Sequence, residues 1–257
     1  KREFYGHSNL KSVTFSNTVE KIGEDSFYGC SSIENITLPS SLTSIGYQSF
    51  YNCSGLTSID IPNSVTSIGT HAFHGCSRLA SVTLPSGIKT IGRNLFSGCK
   101  NLTSIVIPEG VTTIGSGAFN GCINLESVTL PSSVNTLESA VFSGCCKLES
   151  VIIPDGVKSI GGGAFAGCEN LNSVLVPASV TEIADDAFEG NFLCRVEQWG
   201  GAHLLFAADA EDVAVTGEGT IDGNGPAFFG EADEDSRFPW YKYGLKRHPF
   251  DRTWHRP

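Results

Sequence analysis

Apolar and polar residues alternate in a short segment that recurs every 23 residues. In the copy at residues 56–61 the order is Leu-Thr-Ser-Ile-Asp-Ile. Successive side chains of a β-strand point to opposite faces. The pattern therefore predicts a strand with Leu56, Ile59 and Ile61 facing inward and with Ser58 and Asp60 facing outward. The strand is expected to end at the proline that follows, which cannot donate to a sheet.

The rest of the unit has no second alternating segment. An apolar pair, Val65 and Ile68, follows the proline, and a short segment around Phe73 ends at Gly75 and Cys76. That segment is too short for more than about one turn of helix. We therefore predict a strand on one side of each unit and a short helical or irregular segment opposite.

The unit recurs from the first residues to about residue 190. Three residue types mark the 23-residue step: Phe4, Phe27, Phe50, Phe73, Phe96, Phe119, Phe142, Phe165 and Phe188; Cys30, Cys53, Cys76, Cys99, Cys122, Cys145 and Cys168; and Pro39, Pro62, Pro85, Pro108, Pro131, Pro154 and Pro177. A fixed period of this length predicts a solenoid of stacked units. The expected fold class is a repeat solenoid with a parallel β-sheet on one face.

The period fails after Gly190, which divides the chain into two predicted parts. Residues 1–190 form the solenoid, with about eight repeats, and residues 191–257 form a truncated β-rich segment with short strands at 203–206 and 213–216. The sequence starts inside a repeat and contains no methionine. We therefore expect it to be an internal piece of a longer protein, in which case the lack of a signal peptide does not bear on secretion.

Charge and hydropathy exclude some partners. The net charge is −10, and the 17 Lys and Arg residues are scattered along the chain without forming a basic stripe. This argues against nucleic acid and against anionic membrane surfaces. No apolar run approaches the roughly 20 residues that span a bilayer, so membrane insertion is not expected.

The cysteines are expected to be buried thiols. Seven of the nine occupy one repeat position, where parallel side chains in successive coils are poorly oriented for disulfide bonds. Cys145 and Cys146 are adjacent rather than at metal-ligand spacing, so no metal site is predicted. We call these seven the ladder cysteines. Cys146 and Cys194 are not among them and could be free or paired.

The outward strand positions predict a candidate binding face. Two rows of side chains would run along it: Ser58, Ser81, Ser104, Ser127, Ser150 and Ser173; and Asp60, Thr83, Val106, Thr129, Ile152 and Leu175. Such a face could hydrogen-bond a protein or glycan ligand, or it could simply be solvated sheet. The apolar end at Ile152 and Leu175 could instead pack on the C-terminal segment.

Leu-x-x-Ile-x-Ile/Leu-Pro, followed by Ile-Gly and Ala-Phe-x-Gly-Cys, resembles the bacterial surface antigen (BspA-like) type of leucine-rich repeat over residues 4–190. Such proteins are typically secreted or surface-attached, and several are linked to adhesion. The resemblance implies a non-catalytic, extracellular or cell-surface module that binds proteins or glycans and needs no cofactor.

A second resemblance concerns the C-terminal segment. Residues 204–225, with the core Gly-Thr-Ile-Asp-Gly-Asn-Gly, are similar to the opening coil of polygalacturonase-type glycoside hydrolases, which are right-handed parallel β-helices. The resemblance extends over about residues 200–257. It implies an alternative function, in which the repeats target a polysaccharide-degrading enzyme whose catalytic coils are absent. The junction could also be an artefact of gene assembly.

No catalytic residue is predicted in this chain. The Asn-Thr-Asp, Gly-His-Gly and Arg-Ile-Lys motifs of those hydrolases do not occur. Asp185 and Asp186 fall at variable positions of the last repeat, and Asp222 is interpreted as a structural turn residue. Inverting hydrolysis needs two carboxyl groups about 6.5 to 9.5 Å apart, and the sequence presents no such pair.

Overall fold

The computed structural model describes residues 2–184 and 186–190, together with the backbone of three short strands further on. The described part of the repeat region is a solenoid of parallel strands joined by tight turns. No helix occurs among these residues, so the segments opposite the predicted strands are turns. Consequently no described helix is long and apolar enough to cross a bilayer.

The first row of strands is the one that the alternating pattern predicts. Its members are β3 (Ser58–Asp60), β5 (Ser81–Thr83), β7 (Ser104–Val106), β9 (Ser127–Thr129), β11 (Ser150–Ile152) and β13 (Ser173–Leu175). They pair in parallel as β3 with β5, β7 with β9 and β11 with β13, each residue opposite its counterpart 23 positions away. Leu56, Ile59 and Ile61 are buried, as predicted.

A second row of two-residue strands lies after the prolines, where the sequence pattern predicted no strand. It consists of β1 (Lys21–Ile22), β2 (Ser44–Ile45), β4 (Ser67–Ile68), β6 (Thr90–Ile91), β8 (Thr113–Ile114), β10 (Thr136–Leu137), β12 (Ser159–Ile160) and β14 (Glu182–Ile183). These strands form two parallel sheets, β1-β2-β4 and β6-β8-β10-β12-β14. From β3 to β14, each coil therefore has strands on two sides.

The core is a set of stacked columns, one residue from each coil. The repeated phenylalanines stack ring on ring from Phe4 to Phe188, with centroid separations of 5.1 to 5.7 Å. Offset or parallel aromatic pairs at such distances add to the free energy gained from burying the rings. Since each ring covers the next, the column continues only while the period does.

Glycine is required where coils approach closely. Gly69 lies against the backbone of Gly46 and Tyr47 in the preceding coil, so that a β-carbon at Gly69 would overlap both. Gly98 adopts φ +73°, in the left-handed region that favours glycine. These positions explain why Ile-Gly and Phe-x-Gly-Cys recur.

The C-terminal segment contains three described strands, β15 (Arg195–Trp199), β16 (Ala202–Phe206) and β17 (Val215–Thr216). They are antiparallel, in the order β15-β16-β17. Strands β16 and β17 overlap the two short strands predicted there. The glycine-rich run that carries the resemblance to glycoside hydrolases, with Asp222, lies outside the described residues.

Candidate functional site

The predicted binding residues all lie on one exposed face of the solenoid, formed by the first row of strands. We call it the β3–β13 face. It is made of the twelve outward side chains of those strands, all exposed: Ser58, Asp60, Ser81, Thr83, Ser104, Val106, Ser127, Thr129, Ser150, Ile152, Ser173 and Leu175. The residues between them, such as Ile105 and Val151, are buried. The alternation thus holds these side chains on one side of the sheet.

Register places residues of the same repeat position side by side along this face. Ser58 is opposite Ser81, and Asp60 is opposite Thr83. The hydroxyl of Thr83 donates a 2.6 Å hydrogen bond to Oδ1 of Asp60. At this N-terminal end the polar groups therefore already bond to one another across neighbouring coils.

The C-terminal half of the face is more apolar. Val106 and Ile152 are each 69% exposed and Leu175 is 53% exposed. Val106 lies opposite Thr129, and Ile152 lies opposite Leu175. Isolated exposed apolar residues are ordinary, but several of them on one face of a protein are a feature of contact surfaces.

Carboxylates border the apolar half at both ends of its strands. Glu126 and Glu149 immediately precede β9 and β11, and Glu109 and Asp155 follow the prolines after β7 and β11; all four are exposed. Among the resolved repeats the only ion pair at this border is Lys147 with Glu126, at 4.0 Å. The border is therefore mainly acidic.

The ladder cysteines are buried in the core of the solenoid, and their thiols are expected to be unreactive. All seven are buried and free of disulfides. Burial raises the pKa of Cys76, Cys122 and Cys168 to about 12, so each stays protonated at neutral pH. Cys146 is half-buried and also free, whereas Cys194 lies outside the described residues.

An aromatic row on the turn side was not predicted. Tyr5, Tyr28, Tyr51 and His74 occupy the position after the repeated phenylalanine and stack with centroid separations of 4.6 to 4.7 Å. Arg2 lies over the ring of Tyr5 at 5.4 Å. The 23-residue spacing of these residues would have revealed the row, because every repeat position forms a column.

Of the three carboxylates considered for catalysis, Asp186 alone lies among the described residues. Asp186 is exposed, and its carboxylate lies against Gly162. Asp185 and Asp222 are outside the described residues. The prediction that this chain has no catalytic site therefore remains a prediction.

Comparison with known proteins points to one family of repeats. The model of the BspA type leucine rich repeat region, in six copies, matches residues 1–108 and 89–198. The segment that resembles glycoside hydrolases, about residues 200–257, lies outside this match. A comparison with curated proteins gives no match.

Solved structures of bacterial leucine-rich repeat proteins are similar in sequence and fold. A leucine-rich repeat protein of T. pallidum is 38% identical, with a TM-score of 0.56, over 60% of this chain and 72% of that one. A leucine rich cell surface protein from Faecalibacterium prausnitzii A2-165 is 32% identical, with a TM-score of 0.52, over 73% and 59%. A leucine-rich repeat protein from Eubacterium ventriosum ATCC 27560 is 30% identical, with a TM-score of 0.53, over 72% and 44%. The match thus spans less than two thirds of the last two proteins.

Proposed function

The chain belongs to the BspA-type leucine-rich repeat family, and from this we propose that it is a non-catalytic, cell-surface repeat protein whose β3–β13 face binds another protein. The surface location is supported by the similarity to a leucine rich cell surface protein from Faecalibacterium prausnitzii A2-165. The binding role is supported by the residues of the face itself.

The observation that carries the proposal is the exposed apolar row. Val106, Ile152 and Leu175 are each more than half exposed, on a face whose other outward residues are Ser, Thr and Asp. Removing such surface from water is favourable by about 25 cal/mol per Å². A protein partner with an apolar centre gains this energy, while the neighbouring hydroxyls satisfy the polar groups around it.

The acidic border indicates the charge of the partner. Glu109, Glu126, Glu149 and Asp155 surround the apolar row, and the whole chain has a net charge of −10. Complementary potentials speed association and discriminate between partners. The proposed partner therefore carries basic residues around an apolar patch, and its binding should weaken as salt is added.

Paired substitutions test the proposal. Labelled full-length chain is applied to an array of surface and extracellular-matrix proteins and, separately, to a glycan array. Each protein that binds is then measured against the double variant Ile152→Ser/Leu175→Ser. Since both side chains are exposed, the variant should fold normally, and we expect its affinity to fall by about tenfold or more, as for central contact residues.

The matched control is Ile123→Ser, which removes an apolar side chain that is 40% exposed but lies in the turn before β9, outside the twelve residues of the β3–β13 face. Its affinity should equal that of the unmodified chain. Equal affinities for all three proteins, or binding to glycans alone, would refute a protein-binding role for this face.

A further inference from the structure

One junction between neighbouring coils is open on the side of the second strand row. Strand β4 pairs with β2 and strand β6 pairs with β8, but β4 and β6 do not pair with each other. Within the described repeats this is the one interruption of that row. It divides the row into a three-stranded and a five-stranded sheet.

Backbone hydrogen bonds confirm the interruption. The amide of Gly69 donates to Ile45 at 2.8 Å, and the amide of Gly115 donates to Ile91 at 2.8 Å. The equivalent amide, Gly92, makes no such bond to Ile68 across the open junction. Ile68 is accordingly half-buried, whereas Ile45 and Ile91 are fully buried.

The turn side of the same junction is closed, and a histidine contributes to the closure. The His71 amide donates to the Arg93 carbonyl at 3.0 Å, and the Phe73 amide donates to Leu95 at 3.0 Å. The Asn94 side-chain nitrogen lies 3.0 Å from Nε2 of His71. Because the side-chain amide of Asn94 donates to Nε2, the neutral imidazole of His71 carries its proton on Nδ1.

Two imidazoles share this closed side. His71 and His74 have ring centroids 5.9 Å apart. The Nδ1 atoms of both rings are buried and have no hydrogen-bond partner among the described residues. A buried donor or acceptor without a partner costs free energy, and a charged one costs more.

The groups that face the two rings offer no negative charge. Tyr47 meets His71 edge-on at 5.8 Å, and Tyr51 stacks on His74 at 4.6 Å, both from the preceding coil. From the next coil, Arg93 adds a positive charge close to His71. The rings form no ion pair with any carboxylate of residues 2–184 or 186–190.

Asp25, two coils before His71, pairs with an arginine instead: its Oδ2 accepts a 2.9 Å hydrogen bond from Nε of Arg2. Neither ring therefore has a carboxylate counter-ion within ion-pair distance among the described residues.

We propose that the β4/β6 junction is a pH-sensitive seam: neutral His71 and His74 allow its turn side to stay closed, and protonation of both opens it. Protonation would place two like charges beside Arg93 and would put a hydrogen on Nε2, where the Asn94 amide now donates. The second-row backbone bonds that the other described junctions have are missing here, although β3 and β5 still pair across this junction in the first row. The second-row and turn sides of this seam should therefore be the parts of it that open when the histidines are protonated.

The direction of the pH effect follows from the protonation states. Burial, and then Arg93, lowers the pKa of His71, and burial, and then His71, lowers the pKa of His74. The closed state thus binds fewer protons than the open one, and its stability rises with pH. The seam is closed above the ordinary histidine pKa of about 6.5 and weakens as the pH falls below it.

Amide hydrogen exchange by NMR on the full chain tests the seam. The amides of His71, Phe73 and Gly75 bond across it, and those of Asn94, Phe96 and Gly98 bond across the next junction. After correction for intrinsic rates, protection of the first set should fall by roughly tenfold between pH 7.5 and 5.0, because protonation of either histidine favours the open state. Protection of the second set should change much less.

The next coil supplies the control variant. Asn94 and Ser97 occupy the repeat positions of His71 and His74, and both Asn94 and His71 have positive φ. The double variant His71→Asn/His74→Ser should therefore fold, and its seam should lose the selective response to pH. A variant that keeps the response, or an equal response of both junctions in the unmodified chain, would overturn the proposal.

Discussion

Cys99 donates a hydrogen bond from Sγ to the carbonyl oxygen of Phe73, 26 residues earlier, at 3.3 Å. The same bond joins each ladder cysteine to the phenylalanine of the coil before it, at 3.0 to 3.3 Å. Each thiol thus satisfies a carbonyl that faces the core. The cysteine column and the phenylalanine column stabilise the same junctions.

We expect the seven ladder thiols to be unreactive in the native protein. They are buried, and burial raises their pKa, for example to about 12 for Cys76, whereas the thiolate is the reactive form. Brief treatment with a maleimide followed by mass spectrometry should modify Cys146, which is half-buried, and leave the ladder untouched. After unfolding, all seven should react. Ladder disulfides in the native protein would contradict the stacked arrangement.

Replacing a phenylalanine inside the column should be costly. Phe119 is fully buried and stacks on Phe96 at 5.7 Å and on Phe142 at 5.5 Å. Phe119→Ala should lower the free energy of unfolding by about 3 to 5 kcal/mol, as measured by urea denaturation.

The end of the same column supplies the control. Phe4 is half-buried and stacks on one phenylalanine, Phe27. Phe4→Ala should cost less than half as much as Phe119→Ala, because less surface is uncovered and no interior cavity forms. Equal losses would show that the column does not contribute through burial.

The chain should not release reducing ends from polygalacturonate. Such hydrolysis needs two carboxyl groups held across the sugar, and Asp186 is an exposed residue beside Gly162. A reducing-end assay on the purified chain tests this, with Asp186→Asn and Asp222→Asn as variants. Activity that either substitution abolishes would establish an enzyme.

The repeat fold and the candidate face could both be predicted from the sequence. The 23-residue spacing of Phe, Cys and Pro fixes which residues stack, and the comparison with known families confirms the BspA-like resemblance. Alternation in residues 56–61 placed Ser58 and Asp60 outward and Ile59 inward, as found. Local patterns sufficed because neighbouring coils repeat the same contacts.

Other features depend on geometry that the pattern does not contain. Strand β4 has two residues with one inward side chain, so no alternation can mark it, and the second strand row was missed. Repetition predicts that all junctions are alike, but pairing is interrupted between β4 and β6 in the second row and between β5 and β7 and between β9 and β11 in the first row.

The left-handed turn position was also hidden from the sequence, because several residue types occupy it. Asp25, Gln48, His71, Asn94 and Ala140 have φ between +50° and +59° at this position of successive coils. Glycine at Gly117 and Gly163 fills the same position in the coils on either side of Ala140. The conformation is thus imposed by the turn and tolerated by each residue at a different cost.

Ala140→Gly should therefore stabilise the protein. Alanine pays a steric penalty at φ +57°, because its β-carbon crowds the backbone and it lacks a polar side chain to offset this, as asparagine has. Glycine removes the penalty but loses more chain entropy on folding, so we expect a net gain of about 0.5 to 1 kcal/mol in the free energy of unfolding. The matched control is Ala118→Gly, at a buried alanine whose φ is not positive; it should destabilise the protein, because it loses a buried methyl group and gains chain entropy in the unfolded state. Urea denaturation of the two variants beside the unmodified chain measures both effects, and a loss of stability in Ala140→Gly equal to that in Ala118→Gly would show that the turn does not strain Ala140.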